Sequence, residues 1–428
     1  MMKDIIEKHY LLNRTAVNPD TDILVNYIKE KELPKSKIRE YQSGMECFTW
    51  MIPKAWKVKE AHLSRSDGKK IVDFKNNPLH LWTHSIPFKG EVSLDELKKH
   101  LHFDPKHPDW IPYHYRNGYN YYAQNWGFSM SYNQYLKLLE LKEDKFRVLI
   151  DTTLDNNGTM KVLDYHLKGN KSDTIFFAAH TCHPGIVTDG LSCVAVLVEL
   201  FKKLEKKSLN CSYRLILGPE YFAAVGLLSG LSEEEIKTLK GGIFLDMIGN
   251  NKPFGYQTSF QRNSTTDIAV KNVFQHHVKD HVSKPYRKLW GNDEMIYNGP
   301  GFHIPTVGIG CDRHEEYHFD ADNLDMLNYS QLEECLKILE KIIEVFETNY
   351  VPVRKYKGPV YLSRYNLYID PKIDQAGYDA IEYIQIMMDG KKSCLDIANE
   401  LNVDYFFVHN FCEKLAQNGL IEKRGAAF

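Results

Sequence analysis

Short apolar runs alternate with amphipathic segments between about residue 147 and residue 346, and this alternation limits the fold more than any other feature of the 428-residue sequence. Strands that alternate with helices of ordinary length predict an α/β fold with a helix-covered, mostly parallel sheet. In such sheets ligands bind at the carboxyl ends of the strands. The strand candidates are 146–151, 174–179, 212–217, 242–247 and 304–309. The helix candidates are 192–206, 232–239, 265–277 and 329–346.

The segments before this core have a different composition. Residues 1–45 have helical periodicity and predict an N-terminal helical part of the core domain, whose main body covers 146–350. Residues 46–145 are rich in Trp, Tyr, His and Pro and contain short alternating runs such as 70–74. That composition predicts an inserted β-rich aromatic module with many turns.

The C-terminal segment, residues 362–428, predicts a winged-helix domain: helix patterns at 393–401 and 405–417 flank a turn at Asn402. This segment holds seven Lys or Arg and ten Asp or Glu, so its helices would repel phosphate. We therefore expect no nucleic-acid partner, and instead a structural role or a protein contact such as homo-oligomer formation through this domain.

The whole chain is nearly neutral, with a formal net charge of −2, and its composition is that of an ordinary globular protein. No apolar run approaches the roughly 20 residues that cross a bilayer, so we expect no membrane partner. The charged N-terminal residues do not resemble a secretory signal, and the eight scattered cysteines do not form a disulfide framework. These features favour a cytoplasmic protein with reduced cysteines.

Histidine and acidic residues stand at the ends of the predicted strands or in the loops that follow them. They are His180, Asp189, Glu220, Asp246 and His318. Imidazole and carboxylate are the ligands that zinc prefers, and this set could hold one zinc ion, or two ions that share a bridging carboxylate. Two such ions can activate water and polarise a carbonyl, which is the chemistry of aminopeptidases.

The sequence resembles the di-zinc aminopeptidase and carboxypeptidase clan. More closely, it resembles bacterial aminopeptidase-like proteins that have an inserted β-rich module and a C-terminal winged helix and are often encoded with polysaccharide-biosynthesis genes. The motifs that carry the resemblance are WMIPKAW at 50–56, IVDF at 71–74, IPY at 111–113, NWGF at 125–128, HTCHP at 180–184, YH at 317–318 and DNLD at 322–325. The resemblance implies that His180 and Asp246 hold one metal, that Glu220 and His318 hold the other, and that Asp189 bridges them.

The sequence departs from the clan at two positions of this site. Cys182 stands where the better-known enzymes have an aspartate that orients the ligating imidazole, so this support is expected to be missing. His183 could be a substitute ligand, or it could simply pack against Pro184. Those enzymes also have adjacent glutamates, whereas here Pro219 precedes Glu220.

The second departure leaves the general base open. Either Glu220 is a ligand and the base lies elsewhere, or Glu220 is the base and the second metal is weak or absent. Glu294 is a candidate second carboxylate, because the clan has an acidic residue near the position of Asp293; the alternative is an ordinary exposed loop acid.

These residues favour a zinc-dependent hydrolase of the aminopeptidase type, with a metal-activated water and a small peptide or peptide-like substrate. One alternative is an amidohydrolase or deacylase that acts on a glycan-linked intermediate. The other is a scaffold or regulatory protein that kept the fold and lost the catalytic base.

Overall fold

The computed structural model describes residues 1–120 and 122–426. The α-helices in these ranges are α1 Met2–His9, α2 Pro19–Tyr27, α3 Leu94–Lys98, α4 Tyr132–Glu140, α5 Leu191–Leu204, α6 Phe222–Ser229, α7 Glu233–Thr238, α8 Thr265–His277, α9 Glu294–Tyr297, α10 Tyr329–Thr348, α11 Gln375–Met387, α12 Cys394–Leu401 and α13 Tyr405–Gln417. A π-helical turn, Ile28–Glu32, follows α2, and 3-10 turns cover Pro78–His80, Arg116–Tyr119 and Leu362–Tyr365.

The strands in the same ranges are β1 Lys37–Gln42, β2 Glu46–Cys47, β3 Trp50–Met51, β4 Ala55–Ser64, β5 Lys70–Asp73, β6 Phe88–Ser93, β7 Leu101–His102, β8 Phe128–Ser129, β9 Lys145–Asp155, β10 Thr159–Leu167, β11 Thr174–His180, β12 Ser212–Gly218, β13 Leu239–Asp246, β14 Phe254–Gln257, β15 Val282–Lys284, β16 Thr306–Cys311, β17 Tyr350–Arg354 and β18 Ile421–Gly425.

Eight of these strands form the central sheet, in the order β1-β10-β12-β11-β13-β16-β14-β15. Its middle four strands, β12, β11, β13 and β16, are parallel, while β1, β10 and β14 pair antiparallel toward the edges. The predicted α/β class with a mostly parallel, helix-covered sheet is confirmed. The carboxyl ends of the middle strands meet at one edge of the sheet, which is where we expected the site.

Both faces of the middle strands are buried, because helices cover both sides of the sheet. In β11, Ile175 and Phe177 pack in the cluster that contains α5, α8 and α10, whereas Phe176 and Ala178 pack on the side of α6. This is the alternation that a strand imposes on successive side chains. It explains why the predicted strands read as continuous apolar runs.

One of the five predicted strands belongs to a different sheet. The run at 146–151 does form a strand, β9, but it pairs with β4 and β6 in a four-stranded antiparallel sheet of order β5-β4-β9-β6. The prediction that this run lies in the central sheet was wrong, since an apolar run does not reveal which partner it pairs with. The second sheet has its own core, which includes Trp56, Phe128 and Phe146. The boundary between the module and the core domain stays a prediction.

The C-terminal segment packs directly on the α/β core. Strand β18 pairs antiparallel with β17, and Asn272 of α8 bonds both to the Val403 carbonyl and to the Tyr405 amide at the start of α13. The winged-helix assignment and homo-oligomer formation through this unit stay predictions; positions 427 and 428 lie outside the described residues.

Two simpler expectations can be compared with the structure. All eight cysteines are buried and free, which agrees with the absence of a disulfide framework. Across the described part of the chain, no helix combines the length and apolar character that a membrane span requires.

Candidate metal centre

Three elements bring the candidate ligands to one edge of the central sheet. His180 is the last residue of β11, and Asp246 is the last residue of the adjacent parallel strand β13. Asp189 precedes Gly190, the residue that caps the N-terminus of α5. His318 lies in the loop between β16 and α10. All but His318 are almost completely buried.

His180, Asp189 and Asp246 form the first group of potential ligands. The Nε2 atom of His180 lies 3.1 Å from Oδ1 of Asp189 and 3.4 Å from Oδ1 of Asp246. One ligand atom from each residue lies within 4.8 Å of the others. The structure therefore brings together the three residues that were expected to share one metal.

A second group contains Asp189, His183 and His318, whose ligand atoms also lie within 4.8 Å of one another. Oδ2 of Asp189 lies 2.9 Å from Nε2 of His318 and 3.8 Å from Nε2 of His183. Asp189 thus presents one oxygen to each group, as a bridging carboxylate does. His183 occupies the place in this second group where Glu220 was expected, so the substitute-ligand alternative for His183 has a structural basis.

The buried polar atoms of the second group fit a cation. Although they lie 2.9 Å apart, Oδ2 of Asp189 and Nε2 of His318 make no hydrogen bond within the described structure. Buried polar atoms are normally paired, and unpaired ones point to a missing partner. A carboxylate oxygen and an imidazole nitrogen that face one another without a hydrogen bond can both direct lone pairs at one ion.

The electrostatics of the first group also favour a cation. Burial alone would lower the pKa of His180, but its hydrogen bonds to Asp189 and Asp246 hold that pKa well above its ordinary value. Burial raises the pKa of Asp246, and the nearby charge of Asp189 raises it further. Because this pocket stabilises positive charge between its carboxylates, it suits a divalent ion bound by nitrogen and oxygen ligands, such as zinc.

Cys182 contacts His180 with both its backbone and its side chain, and Sγ of Cys182 lies 3.6 Å from Nδ1 of His180. The Nδ1 atom of His180 lies 2.9 Å from the carbonyl oxygen of Cys182, which leaves Nε2 for a metal. A backbone carbonyl is a common partner for a metal-binding imidazole. The aspartate itself is absent, as expected, and the peptide carbonyl of Cys182 lies at the ring nitrogen instead, which a comparison of side chains could not reveal.

Glu220 lies beside the two groups but belongs to neither of them. Its amide donates to Sγ of Cys182 at 3.3 Å, and its carboxylate accepts a hydrogen bond from the Tyr119 hydroxyl. Burial raises the pKa of Glu220 to about 8, although the charge of His180 and the bond from Tyr119 act in the opposite direction. Its roles as ligand and as base both stay predictions.

The two further acidic candidates differ in position. Asp293 accepts a hydrogen bond from the amide of Tyr221, and burial raises its pKa to about 7. Glu294 is completely buried, so the exposed-loop alternative is wrong for this residue. However, Glu294 accepts from the Asn292 amide at 2.8 Å and faces Arg287, and it belongs to neither ligand group. Its catalytic role stays a prediction.

Several supporting residues were not predicted from the sequence. Nδ2 of Asn292 donates to Oδ2 of Asp246 at 3.0 Å and fixes that carboxylate. The buried guanidinium of Arg14 donates to the carbonyls of His183 and Ile186, which holds the loop after β11 in place. Neither partner can be found by motif, because the contacts join residues far apart in sequence.

The inserted module also holds the loop that carries His318. The amide of Tyr113 donates to the His318 carbonyl at 2.8 Å. The amide of Ile111 donates to Oδ1 of Asp320 at 2.7 Å, and the Asp320 amide donates back to the Ile111 carbonyl at 3.1 Å. The IPY motif at 111–113 therefore holds the loop that carries His318 through these hydrogen bonds. This role agrees with its place among the motifs that carry the resemblance.

Comparison with known proteins agrees with this architecture. A family model described as a domain of unknown function, DUF4910, matches residues 3–349. The chain belongs to this family. A protein of Clostridium acetobutylicum, named for polysaccharide biosynthesis and an aminopeptidase-like domain, is 31% identical to this DUF4910 protein over 412 residues, which cover 94% of this chain and 91% of the relative.

Solved structures extend the comparison. A crystal structure named as that of a C. acetobutylicum peptidase has a TM-score of 0.86 and 29% identity; it covers 99% of this DUF4910 chain and 96% of its own. A zinc aminopeptidase from Bacillus subtilis shares the fold, with a TM-score of 0.56 and 13% identity over 81% of this chain and 94% of its own. The resemblance to aminopeptidase-like proteins that the motifs indicated is confirmed.

Proposed function

We propose that the protein is a zinc-dependent hydrolase of the aminopeptidase type, which cleaves an amide bond of a small peptide-like substrate. The observation that carries this proposal is the position of Asp189, whose two carboxylate oxygens face two separate groups of potential ligands. The relationship to proteins named as peptidases or as aminopeptidase-like supports the same reaction class.

In this proposal His180, Asp189 and Asp246 hold one ion, and Asp189, His183 and His318 are the residues available for a second. When bound, zinc acidifies water and polarises a carbonyl. Glu220 takes a proton from the attacking water and transfers it to the leaving nitrogen as the C–N bond breaks. Burial raises the pKa of Glu220 to about 8 without a metal, and the charge of a bound ion would lower it toward the operating pH, where a general base works best.

Metal analysis and turnover together test this proposal. We expect the purified protein to contain zinc, and we expect the double variant His180→Ala with His318→Ala to lose most of it. His166→Ala is the matched control, because this histidine is exposed on β10 and belongs to neither ligand group. Unchanged zinc content in the double variant would refute the site.

Glu220→Gln separates the base from the ligands. If Glu220 is the base, this variant keeps its zinc and loses turnover by about 10²-fold or more, the usual contribution of a general base. If Glu220 is a ligand, zinc content falls as well. Turnover equal to that of the wild type would remove Glu220 from the reaction.

A second candidate is an amidohydrolase that acts on a glycan-linked intermediate, which the name of the C. acetobutylicum relative favours. Parallel assays on aminoacyl amides and on N-acyl amino sugars distinguish the two candidates. Zinc binding without turnover in either set would instead favour the non-catalytic scaffold.

A further inference from the structure

A cavity of about 860 Å³ is lined mainly by the inserted module and by β9 of its sheet, and Phe222 of α6 closes it on the side of the α/β core. Its walls come from β3, β9, the 3-10 turn at Arg116–Tyr119 and the start of α6. Binding pockets for drug-sized ligands have volumes of roughly 300–1,000 Å³, so this cavity could hold more than a single amino acid side chain. The reaction proposed above does not by itself require a cavity of this size.

The cavity shares a wall with a smaller cleft next to Cys182 and Glu220. His84, Gly118, Tyr119 and Phe222 line both this cavity and the smaller cleft. The hydroxyl of Tyr119 donates to the carboxylate of Glu220. A molecule in the cavity would therefore extend toward the carboxylate that we propose as the base.

The charge of the lining excludes two common classes of ligand. Among the described residues that line it, none is acidic and the one basic residue is Lys54. A substrate held by its α-ammonium group needs a carboxylate partner, and a phosphate group needs several cations or a cluster of donors. The described lining has no carboxylate and one cation, so its charge favours a neutral ligand.

Aromatic rings provide flat apolar surfaces on one side of the cavity. The Tyr119 and Phe222 rings, which both line the cavity, stack with centroids 6.3 Å apart, and the Trp50 ring of the lining is backed by Tyr221 outside the lining, with centroids 5.9 Å apart. Trp50 also meets Phe222 edge to face. Trp and Tyr rings present an apolar face together with a polar edge, which suits ligands that have both apolar and polar surfaces.

Uncharged polar groups line the rest of the cavity, including the amides of Asn117, Asn120 and Gln124. The Nδ2 atom of Asn117 and both ring nitrogens of His84 are shielded from solvent and have no hydrogen-bond partner within the described structure. Burial lowers the pKa of His84 to about 4, so its ring is neutral near pH 7 and offers one donor and one acceptor. These atoms need a small side-chain movement to reach the cavity, after which a ligand with hydroxyl groups can satisfy them.

We propose that this cavity binds a neutral saccharide portion of the substrate. A sugar ring has an apolar C–H face that fits the Trp50 and Tyr119 rings, and a rim of hydroxyls that fits the unpaired groups of Asn117 and His84. The proposal rests on the proposed function: the scissile amide lies at the metal centre, and the sugar ring lies beyond Tyr119.

Binding without turnover tests the cavity independently of catalysis. The probe is N,N′-diacetylchitobiose, titrated by calorimetry or ligand-observed NMR into zinc-loaded wild type, chelator-treated wild type and His318→Ala. We expect binding in all three, because none of the cavity walls that we describe is a metal ligand. Leucinamide, a cationic amino-acid amide, is expected not to compete with the disaccharide.

Two cavity variants then locate the site. Trp50→Ala is expected to weaken disaccharide binding at least about tenfold, which corresponds to about 1.4 kcal/mol. Asn117→Leu is expected to weaken binding similarly and to keep the stability of the wild type, because Nδ2 of Asn117 has no protein partner to lose. Tyr383→Ala, an exposed aromatic of α11, is the control and should change nothing.

The outcomes separate the two proposals. Saccharide binding that depends on Trp50 and Asn117 but produces no hydrolysis would support the cavity and count against the hydrolase. Absence of saccharide binding to the folded wild type, binding that both cavity variants retain, or displacement of the disaccharide by leucinamide would overturn the saccharide proposal and leave the zinc test unaffected.

Discussion

Gly190 allows a close approach that no other residue could make, and Gly190→Ala should therefore damage the metal centre. The glycine has a φ of +101°, and a Cβ built on it would lie 2.6 Å from both Nδ1 and Cε1 of His180 and 2.7 Å from the His180 carbonyl oxygen. Ordinary contact begins near 3.4 Å, so the imidazole would have to move by about 0.8 Å. The carbonyl belongs to the end of β11, in the middle of the sheet, and has little room to follow.

The expected loss of stability has two parts. An L-residue with positive φ costs about 1–2 kcal/mol, and forcing an extra methyl group into a packed site costs about 1–3 kcal/mol. Together they predict that the free energy of unfolding falls by about 2–5 kcal/mol. A shift of the first ligand should also weaken zinc binding by about 10–100-fold, the usual effect of disturbing the support of a ligand.

Gly301→Ala is the matched control, because Gly301 has a φ of +87° and a Cβ there would meet nothing within 4 Å. Urea unfolding with a chelator present measures the first effect, and competition with a chromogenic chelator measures zinc affinity. Gly301→Ala should lose only the backbone part and keep its zinc affinity. Equal losses in the two variants, with equal zinc affinity, would refute the clash with His180.

Three further predictions concern ion pairing and ligand support. Asp164→Asn should lower the free energy of unfolding at pH 7 by about 3–5 kcal/mol in urea titrations, because Arg39 and the buried Arg214 both lose their carboxylate partner. Although burial opposes them, these arginines hold the pKa of Asp164 below its ordinary value. The contribution of this carboxylate is thus complete above its unfolded pKa, near 3.9, and is lost as pH falls through the lower folded pKa, so the deficit of the variant should shrink in acid. Asn292→Ala should weaken zinc binding by about 10–100-fold in chelator competition, since it frees the Asp246 carboxylate. Cys182→Ala should change that affinity by less than about threefold, because the carbonyl at 2.9 Å from Nδ1 of His180 stays in place when the thiol at 3.6 Å is removed.

The parallel part of the sheet and most of the ligand array could be predicted from the sequence, for a common physical reason. Buried parallel strands are apolar on both faces, so polar residues that follow them stand out, as His180 and Asp246 do. Because these strands are parallel, their carboxyl ends lie at the same edge of the sheet. The antiparallel edges were missed, because strands such as β1 and β14 are short or half-polar and have no such signature.

The missed features of the site depend on groups that a sequence does not display. The support of His180 is a backbone carbonyl, which every residue has. The bonds from Arg14 to the loop after β11 and from Tyr119 to Glu220 join residues more than 100 positions apart. Positive φ at both His183 and His318 depends on the folded surroundings, since positive φ is uncommon for any residue other than glycine, histidine included.

The hydrogen bonds made by residues 111–113 give the inserted module a role at the metal centre. His180, Asp189 and Asp246 are held by the central sheet and α5, whereas the loop of His318 is held by hydrogen bonds from Tyr113 and Ile111 of the module. The same module supplies Tyr119, which contacts Glu220, and most of the described lining of the large cavity. The first ligand group can therefore form on the α/β core alone, but the second group, the setting of the proposed base and the proposed saccharide site all require the module. A change in the module should consequently alter metal content and substrate choice together. A module that only packed against the outside of the α/β core would affect neither.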